Sequence, residues 1–188
     1  MKSIRLWLIR HLPPAVPPGV CYGQTDLALQ IPLTQQTETV AALRQQLPSA
    51  VPVFSSPLVR CAELAAVIDA QPIQDVRLKE LDFGVWEMQT WDAIGPDALD
   101  AWANDLAGFR PPGGETGYEL QQRALHWLKD VSEECSEAIV ITHAGVIRAL
   151  QAHHQALPGA QWLTLRYDYG QLVCLDFTID QIHVAPVQ

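Results

Sequence analysis

The sequence predicts an α/β fold, a three-layer α/β/α sandwich built around a mostly parallel central sheet. Two short apolar runs, residues 4–9 and 138–141, are typical of strands that are buried on both faces. Segments with apolar residues at helical spacing lie between the two runs, which favours helices packed on the sheet. Both runs end abruptly in polar residues, and open α/β sheets bind ligands at the carboxyl ends of their strands.

The composition suits a single domain that spans residues 1–188. Of the 188 residues, 48% are hydrophobic and only 18% are charged, so the chain can bury one sizeable core. No apolar stretch approaches the roughly 18 residues that a membrane span needs, and the start lacks the features of a signal peptide. We therefore expect a cytoplasmic protein that does not bind membranes.

Charge and cysteine content exclude two further classes of function. The formal net charge of −9 argues against non-specific binding of nucleic acid, which needs a basic surface. The four cysteines are widely scattered and form no Cys-x-x-Cys pair, so we expect free thiols and no zinc site. If the ligand is an anion, positive charge must be concentrated locally in a cleft.

Local signals place four elements between the two apolar runs. A helix is expected over residues 34–47 with a threonine cap, and Val76–Leu78 is expected to be a short strand. Residues 90–108 are expected to be helical with a break at Pro96, and a long helix is expected to open at Glu115. The six tryptophans are interpreted as core residues and cleft walls.

Five polar residues form a set that suits phosphate chemistry. Arg10 and His11 follow the first apolar run, and His143 follows the second. Arg60 lies near the start of a predicted helix, where backbone amides and the helix dipole already favour an anion. Glu87 adds a carboxylate from a loop that contains glycine.

Each of these residues has an ordinary alternative explanation when it is taken alone. Arg60 could be a surface arginine paired with Glu63, since surface ion pairs are common. Glu87 is one of three acids in a short loop that could simply be solvated, and Glu80 is the second candidate there. Two histidines at the ends of two buried strands are harder to explain as core residues.

Four ordered segments resemble motifs of the histidine phosphatase (phosphoglycerate mutase-like) superfamily. They are Arg10-His11, residues 55–60, residues 78–87 and residues 142–148, in the order that the superfamily has them, and the resemblance extends over nearly the whole chain. Two more segments, residues 21–27 and 112–116, are similar to bacterial α-ribazole phosphatase-like members. The resemblance implies the fold of that superfamily and a single catalytic domain.

The resemblance implies a phosphomonoesterase that uses no metal or other cofactor and acts on a small phosphate ester, best matched by α-ribazole 5′-phosphate of cobalamin synthesis. His11 would form a phosphohistidine. Arg10, Arg60 and His143 would hold the phosphoryl oxygens. Protonated Glu87 would donate to the leaving alcohol. The resemblance further implies substrate contacts at Tyr22, Gly23, Gln24, Thr25 and Ala144.

The sequence leaves two other functions open. The chain departs from the usual family pattern at Leu12, Pro13, Met88 and Ala144, and the first three of these positions are expected to shape the mouth of the pocket. A phosphoglycerate mutase would return an isomer of its substrate rather than inorganic phosphate. A pseudo-phosphatase would bind a phosphorylated ligand without hydrolysing it, since fold alone does not fix function. The oligomeric state does not follow from the sequence.

Overall fold

The computed structural model describes residues 2–182 and residue 184. Its central sheet has five strands in the order β3-β2-β4-β1-β5. Four of the strands run parallel, and β5 lies antiparallel to β1 at one edge. The strands are β1 (Ser3–Arg10), β2 (Val53–Ser55), β3 (Ile73–Gln74), β4 (Glu137–Thr142) and β5 (Leu172–Thr178).

Helices cover both faces of the sheet, which confirms the predicted three-layer α/β/α sandwich. One hydrophobic core contains residues of α5 and α6, and a second core on the other face contains residues of α1 and α2. The helices are α1 (Thr37–Gln46), α2 (Val59–Ile68), α3 (Trp91–Ile94), α4 (Pro96–Asn104), α5 (Gly117–Glu134) and α6 (Ala144–His154). Within the described part of the chain, no helix combines the length and apolar character needed to cross a bilayer.

The two central strands explain the two apolar runs. Successive side chains of a strand point to opposite faces of the sheet. Leu8 and Val140 accordingly pack into the core beside α5 and α6, whereas Ile9 and Ile141 pack into the core beside α1 and α2. All four side chains are fully buried, so consecutive apolar residues are required in the central part of both strands, whereas Arg5 near the start of β1 is exposed.

Two predicted elements differ from the structure. The helix expected from residue 34 begins at Thr37, because a short 3-10 turn, Leu33–Gln35, precedes it. The strand expected at Val76–Leu78 is wrong, because this segment is a 3-10 turn. The Asp75 side chain accepts a hydrogen bond from the backbone N–H of Arg77 and so stabilises the turn. The third parallel strand of the sheet lies just before this turn, at Ile73–Gln74.

The region between β3 and β4 follows the prediction more closely. Residues 90–108 form α3 and α4, which are separated by Gly95 with a φ of 90° and by Pro96 at the start of α4. Helix α5 starts one residue after Thr116, whose side chain forms a reciprocal capping box with Glu119. Trp91 and Trp102 of this region line the same cavity as Arg10, the last residue of β1.

Candidate active site

The register of β1 and β4 brings the two predicted histidines together. Arg10 and Thr142 are partners across these parallel strands, so the residues that follow them, His11 and His143, leave the sheet side by side. The backbone N–H of His11 donates to the Thr142 carbonyl at 3.0 Å. The two imidazole rings lie edge to face with their centroids 5.0 Å apart.

His11 is a neutral imidazole with one ring nitrogen already engaged. Its Nδ1 lies 2.7 Å from the Leu12 carbonyl, so this nitrogen carries the proton and Nε2 keeps its lone pair. Burial lowers the pKa of His11 to about 3, and the charges of Arg60 and Arg10 act in the same direction against the opposing bond to Leu12. His11 therefore has the tautomer and charge of a nucleophile.

His143 is held from the side of α2. Its Nε2 lies 2.8 Å from the Ser56 hydroxyl oxygen and 3.5 Å from the Cys61 sulfur. Burial lowers the pKa of His143 well below its usual value, and the proximity of His11 and the arginines adds to this effect. In the absence of an anion His143 is therefore uncharged and fixed in position.

Arg60 is fully buried beside the same site. It is the second residue of α2, and its two terminal nitrogens donate to the carbonyls of Thr25 at 2.9 Å and Gly23 at 2.6 Å. These carbonyls, rather than Glu63, are its partners. The Arg60 Nε–H is buried and has no hydrogen-bond partner among the described residues.

Two tyrosines lie over the two arginines. The guanidinium carbon of Arg10 is 3.7 Å from the ring centroid of Tyr169, and that of Arg60 is 5.5 Å from the ring centroid of Tyr22. The tyrosine hydroxyls are hydrogen-bonded to each other at 2.6 Å. The terminal nitrogen of Arg10 donates to the Tyr167 carbonyl at 2.6 Å, whereas its buried Nε has no partner in the described structure.

Glu87 is engaged with the backbone of a neighbouring loop. Its carboxylate accepts N–H groups from Gln24 at 2.7 Å, Thr25 at 2.6 Å and Phe83 at 3.3 Å. It also accepts a short hydrogen bond from the Thr25 hydroxyl. Glu87 thus fixes the loop whose carbonyls hold Arg60. The side chains of His11, Arg60, Glu87 and His143 are all absent from the described lining of the main cavity, which Arg10 and Glu80 reach.

Glu80 is one of the residues that line the main cavity. Its carboxylate accepts the backbone N–H of Leu81 at 2.8 Å and of Gly145 at 3.1 Å. Gly145 follows Ala144 at the start of α6, and a Cβ added at Gly145 would overlap the Glu80 carboxylate. The glycine therefore allows the acid to sit directly against the amino end of this helix, two residues after His143.

The cavity has a volume of about 510 Å³ and joins two chemically different regions. Its apolar lining comes from the proline-rich loop at residues 13–20 and from aromatic and aliphatic side chains. Of the predicted substrate contacts, Tyr22 lines it, whereas the loop of Gly23, Gln24 and Thr25 serves Arg60 and Glu87. The polar lining consists of Arg10, Tyr22, Gln30, Glu80, Arg148 and Tyr169.

A family model matches nearly the whole chain. The model of the histidine phosphatase superfamily (branch 1) matches residues 6–187. The chain belongs to this superfamily. Membership confirms both the resemblance found in the sequence and the prediction of an enzyme that hydrolyses phosphoric monoesters.

Known histidine phosphatases are similar over most of their length. A glucosyl-3-phosphoglycerate phosphatase of Mycolicibacterium vanbaalenii is 29% identical over 88% of this chain and 80% of the relative. An adenosylcobalamin/α-ribazole phosphatase of Salmonella typhimurium is 27% identical over 92% of this chain and 90% of the relative. The native structure of a mycobacterial glucosyl-3-phosphoglycerate phosphatase matches with a TM-score of 0.79 and 26% identity, and covers 93% of this chain and 91% of that one.

Sequence reasoning gave no role to two arginines of this histidine phosphatase. Arg123 on α5 donates to the carbonyls of Lys79 at 2.7 Å and Glu80 at 2.9 Å, and it pairs with Glu115 through two nitrogens. It thereby fixes the loop that carries Glu80. Arg148 on α6 lines the cavity and donates to the Leu165 carbonyl at 3.1 Å. Its place in the segment at residues 142–148 was the one available signal.

Metal-binding side chains are not grouped in this site. Among the residues that the structure describes, no three His, Cys, Asp or Glu side chains lie close enough together to hold a metal ion. The positive charge at the strand ends comes from arginines, which are always charged and match the geometry of phosphate oxygens.

Proposed function

We propose that this protein hydrolyses its substrate through a phosphohistidine on His11. The observation that carries the proposal is the free Nε2 of a buried, neutral His11 whose Nδ1–H is held by the Leu12 carbonyl. Nε2 attacks the phosphorus, an N–P bond forms, and the bond from phosphorus to the alcohol oxygen breaks. Water then attacks the phosphohistidine, which releases inorganic phosphate and restores His11.

Arg10, Arg60 and His143 hold the phosphoryl oxygens in this scheme. The charges of Arg60 and Arg10 both lower the pKa of His11, so both guanidinium groups lie close to the proposed nucleophile. The phosphoryl dianion also favours the protonated form of His143, which is otherwise neutral. Together these groups place positive charge where negative charge develops in the transition state.

We assign to Glu80 the proton transfer that the family resemblance gave to Glu87. Glu80 lines the cavity together with Arg10 and accepts two backbone N–H groups, which leaves part of its carboxyl group open to a ligand. Glu87 already accepts three N–H groups and a hydroxyl. Protonated Glu80 donates to the departing alcohol oxygen and then, as a carboxylate, accepts a proton from the attacking water.

We propose α-ribazole 5′-phosphate as the first substrate to test. The adenosylcobalamin/α-ribazole phosphatase relative and the similar segments at residues 21–27 and 112–116 support it. The glucosyl-3-phosphoglycerate phosphatase relatives support a phosphorylated sugar derivative to a comparable degree. Both candidates are small phosphate esters.

The experiment is phosphate release in the presence of EDTA by wild type and by His11→Ala. The panel contains p-nitrophenyl phosphate, α-ribazole 5′-phosphate, glucosyl-3-phosphoglycerate and 3-phosphoglycerate. We expect turnover that survives EDTA and falls by about 1,000-fold or more in the variant. Isomerised 3-phosphoglycerate would indicate a mutase, and saturable binding of every ester without phosphate release would indicate a pseudo-phosphatase.

A further inference from the structure

The groups proposed for phosphoryl transfer lie behind the main cavity rather than in its lining. His11 is only 1% exposed, and Arg60 and His143 are fully buried. None of these three residues belongs to the described lining of the cavity, which Arg10 and Glu80 reach from the same site. An ester that enters the cavity therefore meets a barrier before its phosphorus can approach Nε2 of His11.

Two tyrosines contribute to this barrier, Tyr22 and Tyr169, and we call them the tyrosine pair. Both tyrosines line the cavity, and both also contact the groups behind it. The Tyr169 ring lies 5.6 Å from the His11 ring, measured between centroids, and its centroid is 3.7 Å from the guanidinium carbon of Arg10. The Tyr22 centroid is 5.5 Å from the guanidinium carbon of Arg60. The tyrosine pair therefore lies between the cavity and the buried groups.

The backbone around Tyr169 is fixed to the end of β1. The Gln171 N–H donates to the Asp168 carbonyl at 3.1 Å and closes a tight turn, in which Gly170 has a φ of 72°. The Gly170 N–H donates to the Arg10 carbonyl at 3.0 Å, and the Arg10 N–H donates to the Gln171 carbonyl at 3.1 Å. We therefore expect Tyr169 to move by rotation of its side chain rather than by movement of the turn.

The backbone around Tyr22 is fixed in a similar way. The Cys21 N–H donates to the Gln89 carbonyl at 2.8 Å, which ties the residue before Tyr22 to another loop. The Gly23 carbonyl accepts a hydrogen bond from buried Arg60 at 2.6 Å, which ties the residue after Tyr22 to α2. Rotation of the side chain is again the motion that these contacts leave open.

The side chains of the tyrosine pair are held by fewer hydrogen bonds than the two charged side chains at this boundary. Arg10 donates to the Tyr167 carbonyl at 2.6 Å, and Glu80 accepts two backbone N–H groups. Among the described residues, the hydroxyls of the tyrosine pair bond only to each other, at 2.6 Å. Tyr169 is also 40% exposed, so its ring has solvent into which it can rotate. One hydrogen bond between neutral groups thus holds the two side chains together, and such a bond shifts an equilibrium by only about fivefold.

We propose that the tyrosine pair is a gate, which is closed in this structure and which opens when one of its side chains rotates and the bond between the hydroxyls breaks. Opening admits the phosphoryl group to His11. Ligands of the phosphoryl pocket then bind the open state alone, so their apparent affinity depends on how much of the protein is open. The inference rests on the proposed function only in taking His11 as the group that the ester must reach.

The test removes the two hydroxyls one at a time and keeps the rings. Tyr22→Phe and Tyr169→Phe abolish the same hydrogen bond, so we expect each to raise the open population by about fivefold. The probe is diethyl pyrocarbonate, which acylates a neutral imidazole nitrogen, and mass spectrometry of the peptide that contains His11 gives the rate. Exposed His154 of α6 is the internal reference. We expect His11 to react about fivefold faster in either variant, with no change at His154.

A double variant and a matched control test whether the hydroxyls act through the bond that they share. We expect Tyr22→Phe/Tyr169→Phe to react no faster at His11 than either single variant, because the same bond is lost in all three. Tyr118→Phe alters an exposed tyrosine of α5 outside the described cavity lining and should keep the wild-type rates. Wild-type rates at His11 in both single variants, or single effects that multiply in the double variant, would overturn the gate.

Turnover separates the gate from the proposed function. We expect kcat/KM for p-nitrophenyl phosphate to rise by up to about fivefold in either single variant, because more of the enzyme is open. Faster acylation of His11 in variants of a protein that hydrolyses no ester would support the gate and contradict only the phosphatase proposal. A tenfold fall in kcat/KM with wild-type acylation of His11 would overturn the gate, because the hydroxyls would then bind the substrate instead of closing the pocket.

Discussion

Glu80 and Glu87 lie seven residues apart in one acid-rich loop, and the structure uses them in different ways. Glu80 lines the cavity and rests against the start of α6, whereas Glu87 is surrounded by backbone N–H groups of the loop at residues 24–25 and of Phe83. The two residues have the same side chain and lie close together in the sequence, yet their roles differ. The role of each carboxylate is set by the groups that contact it from distant parts of the chain.

The two carboxylates also differ in what their loss is expected to change. Removal of Glu80 affects a group that faces the proposed reaction, and its loop remains fixed by Arg123. Removal of Glu87 leaves buried or half-buried N–H groups without an acceptor, at a cost of about 1–3 kcal/mol each where they are buried. The first change should therefore act on rate and the second mainly on stability.

Gly145→Ala tests the position of the Glu80 carboxylate. The new methyl group would overlap the Glu80 carboxylate and displace it. We expect kcat for ethyl phosphate to fall by about 100-fold, as for loss of general acid–base catalysis. The free energy of unfolding, measured with urea, should change by no more than about 1 kcal/mol, because the preference of a helix for alanine over glycine offsets the lost hydrogen bond from the residue 145 N–H to Glu80. A stable variant with wild-type kcat would contradict the placement of Glu80.

Glu87→Gln tests whether Glu87 acts on stability rather than on rate. The amide group presents its own N–H donors to a cluster of donors, so we expect the free energy of unfolding to fall by about 2 kcal/mol. We expect kcat for ethyl phosphate, whose leaving alcohol needs a proton, to stay within about tenfold of wild type in the folded variant. Glu63→Gln, at an exposed position of α2, is the control and should change neither quantity. A large kinetic loss without a loss of stability would reverse the two roles.

Acid stability tests whether the histidines of the site are neutral when the cavity is empty. The pKa of His11 is lowered from 6.5 to about 3 in the folded protein. Between these two pH values the unfolded chain binds more protons than the folded protein does, so the free energy of unfolding decreases as the pH is lowered. We expect this residue to reduce the free energy of unfolding by about 2 kcal/mol between pH 7 and pH 5. His11→Ala should remove that part of the decrease. The same pH dependence in the variant and in wild type would contradict a neutral, buried His11.

The sequence predicted the parts of the site that depend on short segments and a simple sheet rule. Apolar runs that end in Arg10-His11 and in His143 are sufficient to predict that the two histidines lie close together. Adjacent parallel strands carry both of these ends to the same edge of the sheet. The choice between Glu80 and Glu87 could not be made this way. It depends on a bond to Gly145, 65 residues away, and on Arg123, 43 residues away. The misplaced strand at Val76–Leu78 has a local cause, the capping side chain of Asp75.

The most direct test of the account is kcat/KM for p-nitrophenyl phosphate and ethyl phosphate in Glu80→Gln and Glu87→Gln. Nitrophenolate leaves without a proton, whereas an alkyl alcohol needs one, and kcat/KM reports the steps up to phosphoryl transfer. We predict that Glu80→Gln loses about 1,000-fold on ethyl phosphate but less than about tenfold on p-nitrophenyl phosphate, and that Glu87→Gln treats both esters alike. Equal losses on both esters in Glu80→Gln, or a selective loss in Glu87→Gln, would contradict the assignment.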